Sequence, residues 1–138
     1  MTQSKNVYTA LAAAQPEMEP AKKRSTNPHF KSTYADLADI VAAAQPALNN
    51  HGIAFLHIPE TVDGAHFMKT ELHHGESETF ISCSVPLIIN KNDMQGYKSA
   101  TTYAKRIGIE SLTGIAPEDD DGNAAAKAPP KAAPTISA

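Results

Sequence analysis

The sequence predicts an α+β fold in which a three-stranded antiparallel β-meander packs on helices. Apolar residues recur at helical spacing over residues 32–52, and the period then changes to the alternation of β-strands over residues 53–89. A helical period returns near residue 94 and continues to about residue 113. The predicted order is therefore helix, three strands and helix, preceded by one short helix.

A core domain is expected over residues 1–124, because 138 residues leave room for one hydrophobic core with tails. Residues 125–138 hold so few large apolar side chains that they cannot offset the entropy of ordering, so a disordered Ala/Pro/Lys-rich tail is expected there. Hydrophobic residues make up 41% and charged residues 20% of the chain, as in an ordinary soluble globular protein.

The N-terminal region begins with a predicted short helix over residues 5–15, which Pro16 ends. The following stretch up to residue 28 contains three prolines, which forbid continuous regular structure. Residues 20–31 hold four cations and no acid. An exposed basic loop is therefore predicted over residues 16–31.

The helix within residues 32–52 is predicted to bury an apolar stripe and to end at Gly52. Thr33, followed three residues later by Asp36, is its predicted start. Pro46 lies inside the pattern, so a kink or a break is expected near Gln45. The stripe consists of Leu37, Ile40, Val41, Ala44 and Leu48.

The three strands are predicted from alternating segments that two turn-forming stretches separate. The segments are IAFLHI at residues 53–58, HFMKTELHH at 66–74 and TFISCSVPLII at 79–89, with PETVDGA and GESE between them. One face of the sheet is expected to be buried and the other to be comparatively polar. In the third strand, the buried face holds Ile81, Cys83, Val85, Leu87 and Ile89, and the other face holds Phe80, Ser82 and Ser84.

The last helix is predicted to run from Met94 to about Thr113 and to have two distinct faces. At about 100° per residue, small and apolar residues form one face, which is expected to pack on the sheet. Cations cluster on the opposite face, which is expected to meet solvent. The packing face is Ala100, Tyr103, Ala104, Ile107 and Ser111, and the solvent face is Lys98, Thr102, Lys105 and Arg106.

The residue types present disfavour several kinds of chemistry. His66, His73 and His74 share a predicted strand, but residues 73 and 74 point to opposite faces and no recognised metal-ligand spacing occurs. The acidic run at residues 118–121 lacks the alternation and the distal glutamate of an EF-hand. Cys83 lies in mid-strand, and no nucleophile motif or phosphate-binding glycine loop is found. No catalytic residue, metal site or cofactor is therefore predicted.

The cellular compartment is predicted from three absences. No apolar run approaches the ~18 residues required of a bilayer-spanning helix. The N-terminus lacks the charged-then-apolar order of a secretory signal. The single cysteine cannot form an internal disulfide. These features suit a reducing cytoplasm.

The net charge of −3 conceals a predicted surface for a polyanion. Basic side chains neutralise phosphates, and aromatic rings stack on the exposed bases of a single strand. The surface combines the basic loop, the cationic helix face and the polar sheet face; scattered surface lysines are the alternative interpretation. Its residues are Lys22, Lys23, Arg24, Phe30, Lys31, Tyr34, Lys69, Lys98, Thr102, Lys105 and Arg106, with His29 and either Ser82 or Ser84 beside them.

Two segments make the chain similar to a known family. They are NPHFKSTYADL at residues 27–37 and SATTYAKR at residues 99–106, the latter followed by GI at 114–115 and EDDDG at 118–122. Together with the strands between them, these segments resemble the ERF (essential recombination function) family of phage single-strand annealing proteins over roughly residues 6–124. Two positions depart from the family pattern, because Lys98 replaces a usual glycine and Ile107 replaces a usual tyrosine.

The resemblance implies an ATP-independent protein of phage homologous recombination that binds single-stranded DNA and pairs complementary strands. It also implies a β-β-β-α core like that of annealing recombinases, a homo-oligomeric ring or helical filament, no cofactor, and a place in the bacterial host cytoplasm. The expected partners are single-stranded DNA, the host single-strand-binding protein and a phage exonuclease. Two alternatives stay open: a metal-dependent DNA nuclease that uses the acidic run, and a single-strand-binding protein that does not anneal.

The acidic run needs its own explanation, because anions repel phosphates. One interpretation pairs it with residues 22–24 of a neighbouring subunit, and another places it at the border of the DNA groove, where it keeps the strand in register. A solvated turn without a partner is the third interpretation. The run consists of Glu118, Asp119, Asp120 and Asp121.

Overall fold

The three α-helices and the three-stranded sheet follow the predicted order along the chain, whereas a 3₁₀-helix and a pair of short strands between the first two helices were not predicted. The computed structural model describes residues 5–21, 25–27, 32–34 and 36–116. Helices α1 (Val7–Ala14), α2 (Leu37–Asn50) and α3 (Met94–Thr113) accompany a short 3₁₀-helix (Gln15–Glu17). Strands β1 (Ser25–Asn27) and β2 (Ser32–Tyr34) form an antiparallel pair, and β3 (Ile53–Val62), β4 (Ala65–His74) and β5 (Thr79–Pro86) form a three-stranded sheet. The predicted α+β class, with its β-β-β-α core, is confirmed.

The three-stranded sheet is an antiparallel meander in the order β3-β4-β5. Asp63 and Gly64 connect β3 to β4, and both residues have positive φ, at 51° and 80°. An Asp-Gly pair suits a two-residue turn whose twist matches that of the flanking strands. Because two residues are enough to reverse the chain here, β3 extends to Val62 and β4 begins at Ala65. Most of the predicted connection PETVDGA is therefore strand.

The connection from β4 to β5 fastens the sheet to α1. His74 is buried, and its Nδ1 lies 2.6 Å from Ser77 Oγ, which in turn lies 2.7 Å from Thr79 Oγ1. Thr79 Oγ1 also accepts a hydrogen bond of 2.8 Å from the backbone N–H of Val7. The first residue of α1 is thus held at the first residue of β5.

The two faces of the sheet differ in what lies against them. Ile53 and Leu72 point to the face where the core forms with residues of α1 and α2, and we call this the covered face. The opposite side is the outer face. Burial alternates along β5 as predicted, but the strand ends at Pro86, so Leu87 and Ile89 follow it rather than belong to it.

Helix α2 begins later than predicted. The Asp36 carboxylate accepts a 3.0 Å hydrogen bond from the backbone N–H of Asp39, and the Asp39 carboxylate accepts one of 3.0 Å from the N–H of Asp36. This reciprocal capping box starts the helix after Asp36, whereas Thr33 lies in β2. The predicted break near Gln45 is not found, because α2 continues through Pro46 to Asn50.

The prediction of an exposed loop over residues 16–31 is wrong in part. Pro16 and Glu17 belong to the 3₁₀-helix, and Ala21 is fully buried in the core. Strand β1 pairs with β2 and takes up three more of these residues. Residues 22–24 and 28–31 lie outside the described part of the chain.

Helix α3 has the predicted bounds and lies against the covered face through a glycine. A Cβ added at Gly108 would clash with the Thr70 hydroxyl of β4 and would lie 2.8 Å from Thr70 Cβ. The sulfur of Cys83, opposite Thr70 in β5, lies 3.9 Å from the Gly108 carbonyl oxygen. The absence of a side chain at Gly108 therefore permits the close approach of α3 to β4 and β5.

The buried face of α3 is rotated relative to the predicted one. Thr101 is buried, and its hydroxyl donates a 2.8 Å hydrogen bond to the Lys98 carbonyl oxygen. Burial of this residue therefore leaves no unsatisfied hydroxyl in the core. Tyr103 and Ile107, which were predicted to pack, are 64% and 47% exposed. The predicted packing face is thus correct for Ala100 and Ala104, and wrong for Tyr103, Ile107 and Ser111.

The end of α3 is tied to the N-terminal segment. Gly114, with a φ of 78°, ends the helix in the left-handed conformation that favours glycine. Gln15 Nε2 donates a 2.9 Å hydrogen bond to the Thr113 carbonyl oxygen. The backbone N–H of Ala21 donates one of 3.3 Å to the Ala116 carbonyl oxygen. Two segments from opposite ends of the chain therefore meet at the last turn of α3.

Candidate nucleic-acid interface

Part of the predicted DNA-binding surface lies outside the described residues. This applies to the basic loop and to the acidic run: Lys22, Lys23, Arg24, Phe30, Lys31, Glu118, Asp119, Asp120 and Asp121. The expected tail over residues 125–138 also lies outside. Tyr34 ends β2, where only the backbone is described. The structure therefore places Lys69 in the sheet, and Lys98, Thr102, Lys105 and Arg106 on α3.

Lys69 lies on the outer face of the sheet, away from α3. Its neighbour Thr70 meets Gly108 on the covered face, so Lys69 points to the other side. Lys69 Nζ lies 3.0 Å from Glu60 Oε2 and 3.7 Å from Glu71 Oε2. The hydrogen bond to Glu60, together with the charges of both glutamates, raises the pKa of Lys69. Two carboxylates therefore balance this one cation.

Charge pairing continues along the outer face. Glu71 is only 8% exposed, and its Oε1 lies 2.7 Å from His73 Nε2. The His73 ring stacks on Phe80 of β5 with ring centroids 4.8 Å apart.

Lys69 and the cations of α3 do not form the single surface that was predicted, because the sheet lies between them. We call Glu60, Lys69, Glu71 and His73 the outer charge row; Ser82 and Ser84 lie beside it in β5.

Cations and an aromatic ring share one side of α3. At about 100° per residue, five residues of this helix occupy one continuous arc, which we call the α3 ridge. Its members are Lys98, Ser99, Thr102, Tyr103 and Arg106. Lys98 is exposed, whereas Arg106 is partly enclosed and its Nε donates a 3.2 Å hydrogen bond to Glu110 Oε2. The ridge thus carries Lys98 at one edge, Arg106 near its middle and Tyr103 at the other edge.

Lys105 lies apart from the α3 ridge, on the flank of the helix that approaches the sheet. It is half-buried, and burial together with the charge of Lys105 lowers the pKa of His57 on β3. His57 Nδ1 lies 2.9 Å from Thr70 Oγ1, and its buried Nε2 has no hydrogen-bond partner among the described residues. Of the predicted solvent face, Lys98 is therefore exposed, whereas Lys105 lies at the boundary between solvent and the core.

Two depressions border the α3 ridge. The α2 depression, of about 250 Å³, lies between α3 and the start of α2. The β5 depression, of about 310 Å³, lies between α3 and the segment that follows β5. Ser99 and Tyr103 line both depressions. In addition, Asp36, Leu37, Thr102 and Arg106 line the α2 depression, and Asn90, Lys91 and Gln95 line the β5 depression.

Tyr103 is the candidate binding residue that the sequence pattern missed. An aromatic residue among alanines was assigned to the packing face, yet the ring stands in solvent between the two depressions. Gly108 is the signal that places it correctly, because a glycine inside a long helix indicates close approach of another element. Gly108 comes five positions after Tyr103 in the sequence. At about 100° per residue, the two positions therefore lie about 140° apart around the helix.

The described ranges contain no group of three or more His, Cys, Asp and Glu residues that could hold a metal ion. His73 lies on the outer face, and the buried His74 points to the covered face. Burial raises the pKa of the Cys83 thiol, which keeps it in its less reactive protonated form. In the same ranges, no helix combines the length and apolar character needed to span a membrane.

These elements define an α+β protein whose β-β-β-α core presents a cationic ridge with an exposed aromatic ring. A family model described as the ERF superfamily matches residues 7–138, nearly the whole chain. The chain therefore belongs to the ERF superfamily, whose proteins have a role in phage recombination and annealing and are generally not catalytic enzymes. No curated protein and no solved structure gives a match.

Proposed function

We propose that this protein binds single-stranded DNA along the α3 ridge and pairs complementary strands without consuming a nucleotide, in the cytoplasm of a bacterial host. The observation that carries the proposal is the presence of Lys98, Arg106 and Tyr103 on one ridge, with Tyr103 64% exposed and a depression on each side of it. Membership of the ERF superfamily supports a role in recombination.

Each part of the α3 ridge suits one component of a single strand. Lys98 and Arg106 supply positive charge for phosphates, and neutralised phosphates release counterions, which favours binding. Thr102 adds a hydroxyl group between the two cations, and Ser99 adds one between Arg106 and the ring. Tyr103 offers an aromatic face on which any base can stack, because every base has a π-face. The combination binds DNA without selecting a sequence.

Annealing then requires no chemical step. A strand held by its phosphates and by the face of a base keeps its hydrogen-bonding edges for a second strand. Complementary sequences are stabilised by pairing as they meet, and mismatched ones separate again. No nucleophile, metal ion or nucleotide takes part, which agrees with the chemistry of the ridge side chains.

We extend the proposal to assembly into a ring or a helical filament. Within the described sheet, β3 and β5 are both edge strands, and edge strands carry unpaired backbone groups that can pair with another chain. Copies joined at these edges continue the DNA-binding surface from subunit to subunit. A second contact pairs the acidic run with residues 22–24 of a neighbour. Conversion of Asp119, Asp120 and Asp121 to asparagine is expected to shift the protein to smaller species in mass photometry.

The test is the rate at which two complementary oligonucleotides pair in the absence of nucleotide. The protein is expected to accelerate pairing above the spontaneous rate and to leave both strands intact. A protein that binds one strand without accelerating pairing is a single-strand-binding protein, and this result contradicts the annealing half of the proposal. Shortening of an end-labelled strand in Mg²⁺ identifies a nuclease and contradicts the proposal as a whole.

A further inference from the structure

A single side chain separates the two depressions beside the α3 ridge. Ser99 and Tyr103 are the lining residues that the two share, and of these only Tyr103 is large. Its side chain is 64% exposed and therefore rises from the helix instead of packing against the sheet. The ring is the partition between two concave surfaces.

Each depression has a size that suits one flat ring system. The volumes of about 250 and 310 Å³ lie near the ~300 Å³ lower limit of small-molecule sites. One base on each side of Tyr103 matches the space available.

Both depressions present hydrogen-bonding groups of the kinds that bases and phosphates use. The α2 depression has the Asp36 carboxylate, the Thr102 hydroxyl and the Arg106 guanidinium. Each also bonds within the protein: Asp36 caps α2, Thr102 donates to the Lys98 carbonyl oxygen, and Arg106 donates to Glu110, so a base would use their remaining lone pairs and N–H groups. The β5 depression has the amides of Asn90 and Gln95. Each set includes donors and acceptors, so each can meet the polar edge of a base beside the stacked face.

The wall of the β5 depression is fixed by a close backbone contact. A Cβ added at Gly96 would clash with the Lys91 carbonyl oxygen and would lie 2.9 Å from the Lys91 carbonyl carbon. The N–H of Gly96 also donates a 2.7 Å hydrogen bond to Asp93 Oδ1, which caps α3. The segment that carries Asn90 and Lys91 is therefore held against the first turn of the helix.

We propose that Tyr103 separates two successive bases of a bound single strand, with one base in each depression. This inference rests on the proposed single-strand binding and adds to it a defined break in the stack of bases. A tyrosine ring has two faces, and each can stack on one base. Each protomer therefore unstacks the strand at one step, and the steps between protomers stay stacked.

An oligonucleotide with two adjacent 2-aminopurines tests the inference, because their mutual stacking gives a long-wavelength circular dichroism couplet that separation removes. The saturated parent protein and Tyr103→Phe are both expected to diminish the couplet. Tyr103→Ala is expected to bind about tenfold more weakly and, once saturated, to leave the couplet at its free-strand value. Tyr8→Ala is the matched control, since Tyr8 is 66% exposed on α1 and is expected to behave as the parent.

Two results overturn the inference while leaving single-strand binding intact. One is a couplet that the saturated parent does not change, and the other is an equal loss with Tyr103→Ala. An oligonucleotide that the parent does not bind at all overturns the proposed function itself. Tyr103→Ala is expected to melt close to the parent, because the truncated side chain is largely exposed.

Discussion

On the outer face of the sheet, Glu60 and Glu71 hold Lys69, and the His73 ring covers one side of Phe80. On the α3 ridge, Lys98 has no ion-pair partner and Tyr103 has no ring partner within the described residues. Both regions contain a lysine, an aromatic ring and hydroxyl side chains. Regions of similar composition therefore differ in whether neighbouring groups leave the charge and the ring available to a ligand, and of these two only the α3 ridge leaves both available.

The difference arises from how strands and helices bring residues together. Glu71 follows Lys69 by two residues and shares its face, and Glu60 lies on the same face of the neighbouring strand. On a helix, the neighbours are three and four residues away. For Lys98 these positions hold Met94, Gln95, Thr101 and Thr102, none of which is acidic. A strand thus brings alternate charges together, whereas the helix keeps this lysine apart from acids.

The largest expected effect comes from disrupting the contact that holds the α3 ridge on the sheet. Gly108→Ala places a methyl group against Thr70, and overpacking of this kind costs ~1–3 kcal/mol. Thermal and urea unfolding measure the loss. Gly75→Ala is the matched control, because a Cβ at Gly75 meets nothing within 4 Å and its φ is not positive. Equal melting temperatures for the two variants contradict the close approach of helix and sheet.

A second effect, on binding instead of folding, distinguishes the cations of the two regions. Lys98→Gln is expected to reduce the slope of log K against log salt for single-stranded DNA by about 0.7, the value for one lost phosphate contact. Lys69→Gln is expected to leave the slope unchanged, because Glu60 and Glu71 already balance its charge. Anisotropy titrations at several salt concentrations give the slopes.

The opposite pattern reverses the assignment of the two regions. A reduced slope for Lys69→Gln places phosphates on the outer face, and an unchanged slope for Lys98→Gln shows that the α3 ridge does not hold them. Melting curves of all variants accompany the titrations. They are needed because Lys69→Gln leaves the nearly buried Glu71 with one fewer cation, which affects folding independently of DNA.

The smallest expected effect concerns His57, which lies between the two regions on the covered face. Burial, with a contribution from Lys105, lowers the pKa of His57 below its ordinary 6.5, so the unfolded chain takes up a proton before the folded chain does. The corresponding stability is fully present above pH ~6.5 and is lost as the pH falls toward the folded pKa. Urea midpoints at about pH 7.5 and about pH 5.5 measure the decrease.

His57→Gln is expected to show a smaller decrease than the parent over the same interval. His66→Gln, a change at an exposed histidine of β4, is the control and is expected to follow the parent. If His57→Gln loses as much stability as the parent on acidification, the pH dependence resides in other groups.

Local periodicity was enough to predict the order of the three α-helices and of β3, β4 and β5, because the periods of strands and helices depend on neighbouring residues; the short strands β1 and β2 have too few residues to show a period. The bounds of α3 and the alternation of β5 were predicted on this basis. The start of α2 was not predicted correctly, because Thr33 and Asp36 are both plausible N-caps and lie close together. Only the reciprocal hydrogen bonds of Asp36 and Asp39 decide between them. The extent of β3 was underestimated because Pro59 is tolerated on an edge strand.

The candidate site was less predictable, because its geometry depends on tertiary contacts. Hydropathy places Tyr103 in the core and Thr101 outside. The hydroxyl of Thr101 can be buried because it is hydrogen-bonded within its own helix, and the side of α3 that carries Gly108 faces the sheet because Gly108 leaves room for the Thr70 side chain. The neutralisation of Lys69 depends on the register of β3 with β4, which no local pattern contains. The predicted roles of the basic loop and of the acidic run stay predictions.

The hydrogen bond between Ala21 and Ala116 has a consequence for assembly. In sequence, Lys22 comes directly after Ala21, and Glu118 comes two residues after Ala116. Short tethers of this kind give two groups an effective concentration on the order of millimolar. If the acidic run pairs with residues 22–24 of a neighbour, as proposed, the same basic residues of its own chain are expected to compete for it. In the assembly proposed above, subunit association through this run would exchange one basic segment for another of identical chemistry, and its free energy would be the difference between the two pairings.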